Sequence, residues 1–224
     1  NAQLTSEECD GRDNDCDGQT DEGLNDVCIH AIGRYAGPDA AVKFGFELIS
    51  RGDLTGDGVA DVVVGSTQGA QGQGHITVVD GAGGERVCSI RDSDGFGQVF
   101  EVADIVPGIG LEIVATYPNR RNPMVKLFTT GCEELEDRQI GGSGGFRARG
   151  GLAVLDGYQG FAVGDPDFGI GFDVGAARVY GVSDNNERVA WSFSALNRRR
   201  VGERVYLIPD IDGDARPDLI ATVR

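Results

Sequence analysis

Histidine occurs only twice in 224 residues, at 30 and 75, and the five cysteines at 9, 16, 28, 88 and 132 form no C-x-x-C pair. A zinc site is therefore excluded as an organising feature. Methionine and tryptophan occur once each, and no run of eighteen apolar residues exists, so no segment is suited to cross a membrane as a helix. Positive charge is scarce: 20 Lys and Arg stand against 36 Asp and Glu, a formal charge of −16. A surface of that sign repels polyanions, which argues against nucleic acid and anionic membrane as partners. No ten-residue stretch carries the 3.6-residue periodicity of an amphipathic helix. The chain starts at Asn1 without an apolar leader, as expected of a mature protein whose signal peptide has been removed.

Glycine, by contrast, is abundant at 36 residues, against a usual share of about 7%. That favours many turns between short extended segments. The length suffices for one large or two small domains with a sizeable core. An odd number of cysteines leaves at least one thiol free or paired with another chain, and the partner of Cys28 stays open.

Self-similarity organises most of the chain. Aspartates at 53, 104, 156 and 210 end the runs "ELISRGD", "VFEVAD", "GLAVLD" and "RVYLIPD", at intervals of 51, 52 and 54 residues. Each is followed by a second apolar run: "DVVVGS", "EIVATYP", "FAVGDP" and "DLIATV". Third runs are "HITVVD", "VKLFTT" and "ARVYGV", and fourth runs "RVCSI", "LEDRQI" and "RVAWSF". Four short Val-, Ile- and Phe-rich strands per unit, joined by hairpin links such as "GAGGE", read as an antiparallel meander. Units of that kind repeating at about fifty residues predict an all-β chain, a β-propeller with about three and a half blades visible over residues 27–224. A pair of β-sandwiches is the competing architecture. The fourth unit stops after two strands, while "VCIHAI" from Val27 has the look of a fourth strand. Exposed strand edges are thus expected at 27–32 and 218–223, to be covered by further sequence, a second copy or another subunit.

The loops after the first strands separate the repeats chemically. Calcium loops place carboxylates at positions 1, 3 and 5, a glycine at 6 and a backbone carbonyl at 7. In the first repeat Asp53, Thr55, Asp57 and Asp61 stand at 1, 3, 5 and 9, with the carbonyl of Val59 at 7. In the fourth, Asp210, Asp212, Asp214 and Asp218 do, with the carbonyl of Arg216. Position 6 is Gly58 in one and Ala215 in the other, where a left-handed backbone costs about 1 kcal/mol. The second repeat keeps only Asp104 and Glu112, predicting a packed turn without metal, and "DGYQGF" after Asp156 is too short to form a cage.

A further acidic loop precedes the repeats. "CDGRDNDCDGQTDE" spans Cys9 to Glu22, and Asp13, Asp15 and Asp17 alternate ahead of Gly18. The carbonyl of Gln19 would follow, with Asp21 or Glu22 closing the cage because Leu24 occupies the place of the EF-hand glutamate. A solvated acidic leader is the plainer alternative. A Cys9–Cys16 bridge would hold this loop in shape, and a Cys88–Cys132 bridge would link the outer parts of adjacent units.

Two resemblances bear on these residues. Residues 9–22 are similar to the MopE-type metal-binding motif of secreted and surface bacterial proteins. The oxygen-only ligand set nevertheless favours Ca²⁺ over copper, and it defines a segment at 1–26. "FGFELISRGDLTGDGVADVVVGS" resembles the FG-GAP repeat of integrin α-chain propellers along its whole length, and "FGQVFEVAD" begins a second such repeat. This implies a β-propeller of FG-GAP-like four-stranded blades, a calcium-binding structural or adhesive module, a protein or glycan ligand and a secreted, cell-surface or periplasmic location. Calcium loops combined with cysteines point the same way.

Signals of catalysis are weak. "GGSGG" fits the nucleophile pattern at Ser143, but a strand and a glycine-rich link flank it where an elbow needs a helix. His75 reads as a strand-edge residue, Asp165 and Asp167 as turn formers, and Arg198–Arg200 with Arg120 and Arg121 as solvated loops. A propeller-fold polysaccharide lyase or hydrolase, or a glycan-binding lectin, is the competing functional class.

Overall fold

The computed structural model describes residues 12–20, 23, 35, 37, 43–67, 73–93, 95–119, 124–135, 140–141, 150–168, 175–181, 188–194 and 201–223. The chain divides into two compact units, Asn1–Ala36 and Gly37–Arg224. In the first, residues 12–20 form a loop without regular structure. The expected strand at 27–32 lies outside the described residues.

The second unit is all-β, with no helix among the described residues. The first sheet comprises β1 (Phe44–Gly52), β2 (Asp61–Ser66), β3 (Gly74–Val79) and β4 (Arg86–Asp92). The second comprises β5 (Phe100–Ala103), β6 (Glu112–Thr116), β7 (Met124–Thr129) and β8 (Ile140–Gly141). The third comprises β9 (Leu152–Val154), β10 (Gly160–Asp165), β11 (Ala176–Gly181) and β12 (Arg188–Ser194), and the last β13 (Val201–Ile208) and β14 (Asp218–Val223). Within each sheet consecutive strands pair in order, and all pairs are antiparallel. Every sheet is open. The first strands β1, β5, β9 and β13 neighbour one another in succession.

One correction applies to the strand reading, and it concerns His75. Of the expected fourth run "LEDRQI", residues 136–139 lie outside the described residues, and β8 comprises Ile140–Gly141. The chain turns tightly after β7, with the Cys132 amide on the Thr129 carbonyl and the Leu135 amide on that of Leu127. Leu135, the first residue of that run, is thus held against β7, next to an antiparallel bridge between Phe128 and Glu134. His75 does not stand at a sheet edge: it lies in β3, paired to both β2 and β4, and is buried.

Period-two alternation places successive residues of a strand on opposite faces, and each face meets a different sheet. Ile113 packs with Val63, Ile76 and Val78 of the first sheet. Its neighbour Val114 packs with Leu152, Val154, Phe161 and Val163 of the third. Ala153, Ala162 and Val179 then meet Val205 and Leu207 of the fourth. Each junction between consecutive sheets is thus a small core of its own, and each fully buried Ile, Val or Phe contributes about 1.5–3 kcal/mol. Phe96 anchors the first junction, with Tyr117 at 5.3 Å and Phe128 at 5.9 Å between ring centroids. Tyr117 Oη donates to Asp92 Oδ2 at 2.7 Å. The Cys88–Cys132 disulfide, expected from the sequence, crosses the same junction with a Cα separation of 6.0 Å.

Candidate metal centres

The acidic loops of the first and fourth repeats fold by one rule. A carboxylate at position 1 turns inward and accepts hydrogen bonds from amides that the tight loop would otherwise leave bare. Asp53 accepts from the Gly56 amide through Oδ1 and from Gly58 through Oδ2 at 2.8 Å. Asp210 accepts from Gly213 and from Ala215, both at 2.7 Å. Position 5 caps position 7: Asp57 takes the Val59 amide and Asp214 the Arg216 amide, each at 2.8 Å. Thr55 Oγ1 meets Asp53 Oδ1 at 3.4 Å, and Asp212 takes the Asp214 amide at 3.0 Å. Amides at positions 4 and 6 converge only if those residues adopt positive φ, seen at Gly56 and Gly58, and at Gly213 and Ala215. Ala215 has φ 67°, the left-handed alanine anticipated from the sequence.

Position 9 fastens the loop to its surroundings. Asp61 is fully buried; its Oδ2 accepts from Leu54 at 2.6 Å and Thr55 at 2.9 Å, and its Oδ1 from Gly81 at 2.9 Å. One carboxylate therefore ties the β1–β2 loop to the β3–β4 turn. Asp218 takes the Ile211 amide at 2.8 Å in the same way. The N-terminal loop repeats the position-1 motif: Asp13 accepts from Asp17 at 3.2 Å and Gly18 at 2.9 Å, and Asp17 from Gln19 at 2.9 Å. Asp21 and Glu22 lie outside the described residues. Cys16 carries a free, exposed thiol, which corrects the expected Cys9–Cys16 bridge. Its backbone is left-handed (φ 63°), and this loop is held by carboxylate–amide bonds instead. Cys9 is outside the described residues.

These bonds set the electrostatics. The amides of Gly58 and Gly56 hold the Asp53 carboxyl below the usual carboxylate range. Those of Gly213 and Ala215 do the same for Asp210. Both stay ionised well into acid.

Three sets of carboxylate oxygens gather within 4.8 Å of one another: Asp13, Asp15 and Asp17; Asp57, Asp61 and Asp80; Asp210, Asp212 and Asp218. Oxygen ligands at 2.3–2.6 Å from one Ca²⁺ are at most about 5 Å apart, so each set fits the ion in donor type and span. Asp80 is the addition that sequence reasoning missed. It ends "HITVVD", where the strand register gives the second and third repeats Thr129 and Gly181, and an acid there in the repeat with a good loop was the available signal.

The second repeat differs. Ile105 and Val106 enter the core, and Glu112 is fully buried, its Oε2 taking the amides of Ile105 at 2.9 Å and Val106 at 3.3 Å. Burial pushes its pKa up, and Oε1 has no hydrogen-bond partner. In the third, Asp156 lies 3.7 Å from Arg51. Arg51 and the half-buried Glu101 also line a cavity of about 150 Å³ with Leu152, Val154, Val205 and Tyr206. Asp165 accepts the Asp167 amide at 3.2 Å, a turn as expected. Ser143, Arg120, Arg121 and Arg198–Arg200 fall outside the described residues.

No curated protein matches the chain at a significant level. Residues 48–79, from within β1 through the first acidic loop to the end of β3, match the FG-GAP repeat.

Proposed function

We propose that the chain is a calcium-stabilised, non-catalytic binding module of the cell surface or extracellular space, built as a sector of a β-propeller. FG-GAP repeats are generally extracellular protein-interaction modules. The observation that carries calcium is the recurrence of one hydrogen-bonded acidic loop between the first and second strands of two repeats. In both, carboxylates gather at the span of a Ca²⁺ shell. Support for the propeller comes from the succession of first strands β1, β5, β9 and β13 beside one another and from the strand order in every sheet.

Bound at the first loop, the ion would be held by Asp57, Asp61 and Asp80, with Asp53 and Thr55 ordering the loop and the Val59 carbonyl available. At the fourth it would be held by Asp210, Asp212 and Asp218, with Asp214 and the Arg216 carbonyl beside them. The ion supplies positive charge to a cluster that repels itself, and it ties the first strand of a sheet to the second. Stability then rises with the logarithm of free calcium over Kd. The MopE-like loop at Asp13–Gln19 is a third site of this kind. Ligands, protein or glycan, bind the surfaces that these loops stiffen.

Calorimetric titration of the chelated protein with Ca²⁺ tests the reading. Asp57→Ala and Asp214→Ala are each expected to remove one site. An unchanged stoichiometry in both defeats the calcium assignment, and turnover of a polysaccharide would defeat the non-catalytic one.

A further inference from the structure

The first strands of all four sheets share one hollow. Arg51 of β1, Glu101 of β5, Leu152–Val154 of β9 and Val205–Leu207 of β13 line the cavity of about 150 Å³. Its floor is aliphatic: Leu152, Val154, Val205 and Leu207 are only 3% to 8% exposed. Arg51 and Tyr206 are exposed, so the cavity opens to solvent on their side. Glu101 is the anomaly in this lining. Strand register puts Ile49, Ala153 and Tyr206 at its place in the other three first strands, and none of them is charged. A carboxyl there is therefore no requirement of the repeat.

Nor does the fold satisfy it. Among the described residues no hydrogen bond or ion pair reaches the Glu101 carboxyl. The cation that acts on it through space, Arg51, is drawn instead to Asp156 at 3.7 Å, and burial pushes the Glu101 pKa up to about 7. A half-buried carboxylate without an internal donor gains from a cation brought in from outside. The walls decide which cation. Ca²⁺ wants about six to eight oxygens, and here one carboxylate stands over hydrocarbon. An anion would meet Arg51, but also Glu101 and the nearby Glu47, on a chain of formal charge −16. An ammonium on a short unbranched alkyl stem suits both parts, with its head at Glu101 and its methylenes on the floor.

We propose that this cavity is a binding site for a primary alkylammonium group, with Glu101 as its counter-ion and Leu152, Val154, Val205 and Leu207 as the seat of its stem. Two sources carry that group, a free alkylamine and the lysine side chain of another protein. The site depends neither on calcium nor on closure of the sheets into a ring. Around Glu101 the packed elements bring Arg51 and Glu47 from β1 and the Tyr206 phenol from β13, while Leu152–Val154 of β9 carry no charge. An alkylammonium, like a lysine, keeps its proton to about pH 10. Affinity therefore follows the ionisation of Glu101 and should rise about tenfold between pH 6 and pH 8.

Titration of the isotope-labelled full chain in chelator, read from the amide NMR shifts of Glu101, Val154 and Leu207, tests it. The probes are n-butylammonium, n-butanol and butyrate. At pH 8 n-butylammonium should saturate with a Kd on the order of 1 mM, as befits so small a ligand, and the other two should bind at least about tenfold more weakly. Glu101→Gln keeps the shape of the cavity and removes its charge, so it should weaken n-butylammonium about tenfold or more. Arg51→Gln removes an exposed cation from the rim and should leave that affinity undiminished. Nα-acetyl-lysine methylamide separates the sources: binding as tight as n-butylammonium or tighter assigns a protein lysine, and weaker binding a free amine. The absence of saturable shifts with n-butylammonium overturns the inference. So does binding that survives Glu101→Gln, that n-butanol or butyrate matches, that Arg51→Gln abolishes, or that stays flat between pH 6 and pH 8.

Discussion

Glu101 is a carboxyl that the fold holds at a disadvantage. It sits on β5 among Leu152, Val154 and Val205, and burial, partly countered by Arg51 and reinforced by Glu47, raises its pKa from 4.5 to about 7. The folded chain therefore binds this proton more tightly than the unfolded one. The stabilisation from protonation is complete below pH 4.5, declines as the pH rises, and is gone above about 7. A shift of that size corresponds to at most about 3.4 kcal/mol at 1.36 kcal/mol per unit. Residual solvent contact reduces the expected value to about 2 kcal/mol. Glu101→Gln keeps the shape and removes the charge, so at pH 8 the variant should be more stable by about 2 kcal/mol, and at pH 4 it should match the parent. In a domain of this size that is roughly 4–8 °C in Tm. Thermal melts of both proteins at pH 4, 6 and 8, in chelator so that metal does not contribute, provide the measurement. A variant no more stable than the parent at pH 8 would refute the reasoning, as would a gap between the two that does not widen from pH 4 to 8.

Three further outcomes are expected. Asp80→Ala should weaken the first-loop calcium site about tenfold, the equivalent of ~1.4 kcal/mol, while Asp104→Ala leaves the site count unchanged; luminescent lanthanide titration reads both. Ala215→Gly should stabilise the chelated protein by about 0.5–1 kcal/mol, because glycine adopts φ 67° without a Cβ clash; urea unfolding measures it. Gly97→Val should cost more than about 3 kcal/mol, since its Cβ would lie 2.4 Å from the His75 carbonyl oxygen at left-handed φ, and circular dichroism should show loss of the cooperative melt.

The strands were readable because their signal is local. Alternation in "DVVVGS" or "HITVVD" needs only six residues, and β2 and β14 fall where their runs do. The acidic loops were readable for the same reason, since nine consecutive residues supply their carboxylates and the amides those carboxylates accept from. Asp80 was not, because the β2–β3 register delivers it to a loop nineteen residues away. Nor was the close approach of Gly65 to the Gly97 carbonyl oxygen, which exists only once two sheets pack. A cysteine spacing compatible with a bridge proved insufficient at Cys16, where the loop is already closed by carboxylates.

The Cys88–Cys132 link also governs how the molecule would respond to pulling. It encloses a sequence separation of 44 residues, which includes β5, β6 and β7. Tension applied through the ends of the chain passes from one sulfur to the other and bypasses that segment. Roughly 150 Å of contour, at about 3.4 Å per residue, therefore stays folded away from the force. The first junction would then act as a clamp within the array, and extension would come from the third and fourth sheets, which no bridge among the described residues encloses.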